Sequence, residues 1–386
     1  MRILMVSRTP FVHELGGGRV QLEIGEALAT LGHQVEFFDV VTAFGGDGVR
    51  RRDRFAPLRF ARAARAFVRQ SPDRWDVIDA DQGDLPFSKR ELGFRGVLVA
   101  RSAGLYAFYR EFKQLERRRW PERIPGSWIG KRIDRLGADR VFAAAEHSMR
   151  LCDLALVPTR EEQGFLTREL GLASRCVALP FGLSDDRHDA FAAARRPASD
   201  RLENVCVAFI GSWTPRKGAA DWASIIRLVR ERRPDARFLF VGTGCNGSEV
   251  LRDVDDVDRS SVTVVPEFAS DDLPGLLSGA TVGAFPSYVE GFGFGILETL
   301  AAGLPTVAYD VSGPRAMLGA ELGALVPVGD VDSFARQIVA LLSAEPDTYA
   351  ALSRRCVATA DGFRWRGIAA STADAYAAAL ATASDR

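Results

Sequence analysis

Short apolar runs alternate along the chain with stretches whose apolar positions recur at helical spacing. "RILMVS" begins the series, "GGGRVQLEIGEALATLGHQ" follows with a helical period, and "VEFFDVV", "WDVIDAD", "GVLVARS", "RLCDLALVPT" and "SRCVALPF" continue it to about residue 181. Continuous runs of four to eight apolar residues, separated by helices, predict a parallel sheet covered on both faces. The stretch "GLSDDRHDAFAAARRPASDRLEN" then breaks the rhythm: it is charged, holds a proline and has no strand pattern. The theme restarts with "VCVAFIGS", "RFLFVGTG", "SVTVVP", "VGAFPS", "PTVAYD" and "GALVPVG", each followed by a helical or turn-rich segment. Two successive βα-repeats predict an α/β chain of two doubly wound, Rossmann-like domains facing across a cleft. The expected division is 1–182 for the first domain, 183–203 for a linker, 204–364 for the second domain, and 365–386 for a final helix packing back on the first.

The length of 386 residues agrees with two or three domains at roughly 150 residues each. A hydrophobic content of 47% supports full-sized cores. No uncharged apolar stretch reaches the ~18 residues of a membrane span, and "MRILMVSRTPF" reads as a buried strand rather than a signal peptide. Five scattered cysteines with no CxxC, and four histidines without ligand spacing, argue against disulfides and structural metal and for a reducing, cytoplasmic compartment. The formal net charge of +0 implies no bulk attraction to nucleic acid. Four of the 50 basic residues are lysine, and Lys217 is the lysine of the second half.

Chemistry concentrates in "SYVEGFGFGILETLAAGLPTV", residues 287–307. A strand-like run leads into Gly291–Gly295 and a helix follows. Open backbone N–H groups at a helix N-terminus make an anion site, most naturally for phosphate. Glu290 precedes this turn and Glu298 lies within the helix; each carboxylate can accept hydrogen bonds from two hydroxyls. A diphosphate on the glycines could therefore offer one sugar to Glu290 and a ribose to Glu298. Lys217, beside Arg216 in "FIGSWTPRKGAADW", opens a helix after a strand, where a phosphate clamp would sit. Gly16, Gly17 and Gly18 precede a helix in the first domain but lack the GxGxxG order of a dinucleotide fold.

The stretch "PSYVEGFGFGILETLAAGLPTV" resembles the retaining nucleotide-sugar glycosyltransferases of the GT-B fold, family 4, also called glycosyl transferases group 1. Glu290 and Glu298 match that family's two-glutamate spacing, and "LCDLALVPT", "ALPFGL", "FIGSWTPRKG" and "FRWRGIA" fall in family order. The resemblance implies a hexosyltransferase that moves a sugar from a nucleotide-diphosphate donor to a hydroxyl of a glycan, lipid-linked or small-molecule acceptor. Glu290 would hold the transferred sugar and Glu298 the donor ribose. Gly293, Phe294 and Gly295 would bind sugar and diphosphate through their N–H groups. Lys217, with Arg216, would neutralise the leaving diphosphate, so that no metal and no cofactor is needed. Gly16 and Gly17 would approach the diphosphate, and Pro266 to Phe268 would meet the base. Three departures stand out. Ser212 replaces the family's usual arginine, with Arg216 in reach to supply the charge. Ser102 and Ala103, after Arg101, stand where many members carry a histidine on the acceptor side. Asp79 and Asp81 replace further histidines.

Other readings stay beside this one. "DVDDVD", residues 253–258, contains the DxD pattern of metal-dependent transferases or is a solvated loop. "RRRDRFAPLRFARAARAFVRQ" and "FYREFKQLERRRWPERIPGSWIGKR" are basic stretches with aromatics that could rest on an anionic membrane or form solvated faces. With Ser212 and Ala103 in place, a nucleotide-sugar-binding homologue without turnover is the alternative to an enzyme. An epimerase or dehydrogenase is disfavoured by the missing dinucleotide fingerprint.

Overall fold

The computed structural model describes residues 1–13, 16–45, 56–123, 128–254, 258–319 and 322–384. All twelve expected apolar runs are strands. Arg2–Val6 (β1), Gln34–Phe38 (β2), Val77–Asp81 (β3), Val97–Arg101 (β4), Leu154–Val157 (β5) and Cys176–Ala178 (β6) form one sheet; Cys206–Ile210 (β7), Arg237–Val241 (β8), Val262–Val265 (β9), Val282–Phe285 (β10), Thr306–Tyr309 (β11) and Gly323–Val326 (β12) form another. Every pairing is parallel. Central strands such as β4 and β10 are buried at every position, as expected where helices cover both faces, whereas β2 at a sheet edge is partly open.

The chain divides into two compact units, Met1–Phe181 with Trp365–Arg386, and Gly182–Arg364. The first sheet runs β2-β1-β3-β4-β5-β6 and the second β12-β11-β10-β7-β8-β9. Both orders are doubly wound, the first reversing direction between β1 and β3 and the second between β7 and β10. In open α/β sheets, ligands bind outside the strand carboxyl ends at such a reversal. The α/β fold class of two doubly wound parallel sheets is thus the one that the alternation predicts.

The stretch expected as a linker is not one. Residues 183–203 hold the helices Asp185–Ala194 and Ala198–Glu203, which belong to the second unit and bury Arg187, His188, Phe191 and Arg201. Charge hid this, because guanidinium groups bury when backbone carbonyls receive them: Arg201 donates to the carbonyls of Ala302 (2.8 Å) and Gly303 (3.2 Å). A helix at Pro346–Asp361 also lies beyond the expected pattern.

The last helix, Trp365–Ser384, is integral to the first unit. Trp365 donates its indole N–H to Glu23 at 2.5 Å. Tyr376 donates its hydroxyl to Asp79, and the Arg101 guanidinium donates to both of them.

The basic helix Ala56–Gln70 directs Phe60, Ala61, Ala64 and Val68 into the core. The apolar half that a membrane reading requires is therefore inside the protein, with Arg59, Arg62 and Arg69 exposed. Residues 50–55 and 124–127 of the two basic stretches lie outside the described residues, as do 255–257 of "DVDDVD". In that last segment Asp253 accepts from the Trp213 indole at 2.9 Å and Asp258 caps a 3₁₀ turn, both structural tasks. Among the described residues, no helix is long and apolar enough to cross a membrane.

Candidate functional site

The second unit brings Lys217 and Glu290 together at the reversal of its sheet. After β7 the chain turns at Gly211 and enters the short 3₁₀ turn Pro215–Lys217. After β10 it passes Pro286 to Glu290. The two loops are sewn together: Tyr288 N–H donates to the Arg216 carbonyl at 2.8 Å, and the Arg216 guanidinium reaches the Val289 carbonyl at 3.4 Å. Gly218 closes the turn at φ +83°, and a Cβ there would lie 2.2 Å from the Pro286 carbonyl oxygen, so a bare backbone is required. Beneath them Asp221 accepts hydroxyl hydrogen bonds from Tyr288 (2.8 Å) and Tyr309 (2.6 Å), anchoring the second loop to β11.

On this platform Lys217 Nζ donates to Glu290 Oε2, with both side chains mostly buried. Burial pushes the lysine's pKa below its usual value, against the pull of Glu290. The carboxyl of Glu290 is raised by burial, but Lys217 and Arg216 outweigh that and hold it below the usual range. Glu290 is therefore held as a carboxylate, with the Lys217 amine as its partner.

Three residues on, Gly293 is the N-cap of the helix Phe294–Ala301, and no side chain caps it. The first N–H groups of a helix in general lack an intrahelical acceptor, although Ile296 N–H here reaches back to the Gly293 carbonyl at 3.0 Å, and the helix dipole favours an anion there. From Ile296 to Ala301 this helix is buried throughout, including Glu298 at 3% exposure. A carboxylate in so apolar a helix needs a cation, and it has Arg187, whose Nη2 lies 3.2 Å from Oε1. No motif marks Arg187, which lies in the charged stretch expected as a linker. The start of its helix does carry a local signal, Ser184 followed by Asp185 and Asp186, and Ser184 caps that helix.

The remaining expected positions scatter in role. Ser212 is half-buried on the loop after β7. Pro266 and Phe268 lie beyond β9, where the Pro266 carbonyl accepts from Gly244 N–H at 3.0 Å and the Phe268 ring leaves room only for a glycine at 242. In the first unit Gly16 and Gly17 begin the helix Gly16–Thr30, yet Gly18 is the member of the triplet under constraint: a Cβ there would fall 2.0 Å from the Pro10 carbonyl oxygen.

The acceptor-side positions are engaged with internal partners. Arg101 is buried and bound to Asp79 and Tyr376. Ser102 is fully buried, donating to Glu162 and accepting from Gln82 and Gly104. Ala103 is half-buried and offers no polar group. The carboxyl ends of β1 and β3 carry a different polar group: Arg8 N–H donates to Asp84 at 2.5 Å, the Arg8 guanidinium lies 3.8 Å from the same carboxylate, and burial raises the carboxyls of Asp81 and Asp84. Nearby, a cavity of about 280 Å³ is lined by Tyr106, Phe142, Met149, Phe165, Arg110 and Glu169, among others.

Comparison with known proteins points the same way. Residues 204–344 match the family model described as Glycosyl transferases group 1. The D-inositol 3-phosphate glycosyltransferase of Kribbella flavida is 34% identical over 209 residues, which cover 50% of this chain and 47% of that protein. The enzyme of the same name from Saccharomonospora viridis is 31% identical over 264 residues, covering 64% and 58%. The chain thus spans about half the length of the curated relatives it matches. Among solved structures, a sucrose-phosphate synthase from Thermosynechococcus elongatus superposes with a TM-score of 0.75 at 19% identity, covering 99% of both chains. Anabaena HepE, solved in complex with UDP and glucose, gives 0.66 at 18% identity over 98% of this chain and all of that one. The fold is therefore that of the two-domain GT-B glycosyltransferases, and its second unit carries the stretch similar to group 1 of that class.

Proposed function

We propose that the chain is a retaining, metal-independent glycosyltransferase of family 4, which transfers a sugar from a nucleotide diphosphate to a hydroxyl acceptor. The observation that carries this reading is the Lys217–Glu290 pair beside the uncapped N-terminus of the helix Phe294–Ala301, at the reversal of the second sheet. A donor diphosphate seated on the first-turn N–H groups would draw Lys217 toward its charge and free Glu290 for the hydroxyls of the sugar. As the sugar–oxygen bond breaks, negative charge grows on the leaving phosphate, where a lysine and a helix N-terminus stabilise it most. Positive charge grows on the sugar ring, beside the Glu290 carboxylate. The leaving phosphate then accepts the proton of the acceptor hydroxyl, which attacks from the same face, so no separate general base is assigned. Glu298 holds the ribose, and Pro266 to Phe268 border the base.

The acceptor is a glycan, a lipid-linked sugar or a small polyol. The relatives' name adds an inositol phosphate to that range. Attraction to an anionic membrane surface would draw on exposed arginines such as Arg59, Arg62 and Arg69, the apolar face of their helix being buried in the core.

The test is calorimetric titration of the protein with UDP, GDP and ADP, repeated on Glu298→Ala and Lys217→Ala. One nucleotide should bind, and each change should weaken it about tenfold or more, as for lost hydrogen bonds to a charged group. Failure of all three to bind would remove the transferase reading. Binding without sugar transfer from any matching donor, in a protein where Glu290→Gln changes nothing, would leave a silent binding homologue.

A further inference from the structure

Arg187 joins two parts of the second unit that are far apart in sequence. Its Nη1 donates to the Ser270 carbonyl and its Nη2 to Glu298 Oε1, while the guanidinium lies over the Phe191 ring at 5.1 Å. Ser270 is two residues beyond Phe268, so one end of the fork holds the loop at the base side. The other end holds the carboxylate at the ribose side. The arginine is 8% exposed, and its Nε has neither solvent nor a hydrogen-bond partner. The helix that carries it, Asp185–Ala194, packs on both the Leu273–Leu277 and Phe294–Ala301 helices.

Building on the donor-site reading above, we propose that Arg187 is a positioning residue for the nucleoside half of the donor. It sets the orientation of Glu298 and the spacing between the ribose-binding carboxylate and the base-side loop. The physical case rests on the shape of the group. A planar guanidinium presents parallel donors at a fixed separation, so two acceptors bound to one fork cannot drift independently. A lysine could neutralise Glu298 but could not hold both acceptors in one plane. Purely structural burial of the arginine would not demand that its two donors end on the two nucleoside-facing segments.

The test compares a ribonucleoside diphosphate with its 2′-deoxy counterpart, using whichever of UDP, GDP and ADP the protein binds, and inorganic pyrophosphate as a probe of the phosphate end alone. The wild type should prefer the ribose form by about tenfold, the value of a hydroxyl bond to a carboxylate. In Arg187→Met that preference should fall toward unity while pyrophosphate affinity holds; Arg187→Lys should recover part of it. A folded Arg187→Met that keeps the full ribose preference overturns the proposal. So does an equal loss for pyrophosphate, which would mark a general collapse of the unit. If Arg187→Met does not fold, Arg187→Lys decides alone: undiminished preference overturns the fork argument. A wild type with no preference for ribose, or no nucleotide binding, would overturn the reading of Glu298 itself.

Discussion

At the scale of single residues, burial decides what each charge can do. Glu290 and Lys217 neutralise one another where a ligand would otherwise be needed, and Glu298 has Arg187. Among the described residues no cation pairs with Glu162: its carboxyl oxygens lie 3.1 Å from the Ser102 hydroxyl and the Leu105 N–H, and burial pushes its pKa up to about 8. A carboxyl that is harder to ionise in the folded state than in the unfolded chain favours folding at low pH. That contribution is fully present below the unfolded value and disappears as pH rises through about 8. Glu162→Gln should therefore flatten the fall in melting temperature between pH 5 and 8, relieving on the order of a few kcal/mol at the upper end. Thermal scans of both proteins across that range check it; parallel curves would show that the Glu162 carboxyl does not titrate there.

At the scale of elements, the site depends on how closely two loops approach. Gly218 is the contact point, with a left-handed backbone and the Pro286 carbonyl where a side chain would begin. Gly218→Ala should cost about 1–3 kcal/mol in strain and push apart the loops bearing Lys217 and Glu290. Melting temperature and nucleotide affinity should drop together. An alanine variant with unchanged affinity would mean that the loops tolerate separation. The same scale shows which parts of the site were legible. Glu290, Lys217 and the glycine turn stood out because each follows an apolar strand and opens a helix, a pattern of period and punctuation. Arg187, Asp221 and Gly218 did not. Their roles come from partners 111, 67 and 68 positions away, Glu298, Tyr288 and Pro286, which no local pattern encodes.

At the scale of the whole molecule, the chain leaves its first unit at residue 181 and returns to it at 365. The returning helix inserts Tyr376 into the buried Asp79–Arg101 pair, which links the middle of β3 to the end of β4. Tyr376→Phe should leave that pair with one donor fewer, at a cost of about 1–3 kcal/mol. Hydrogen exchange should quicken in β3 and β4 and stay unchanged in β7 to β12. Equal quickening in both sheets would show instead that the two units unfold as one.

The sequence by itself determined the twelve strands, the two-sheet architecture and the place of the glutamate-bearing turn, because each depends on short-range periodicity and on what glycine permits at a helix start. Tertiary structure decided the rest. It turned a charged linker into helices, because arginines can bury against carbonyls that only the fold supplies. It surrounded Arg101 and Ser102 with internal partners. It also gave Glu298 its cation, since a carboxylate in an apolar helix is tolerable only where the folded chain carries an opposite charge to it.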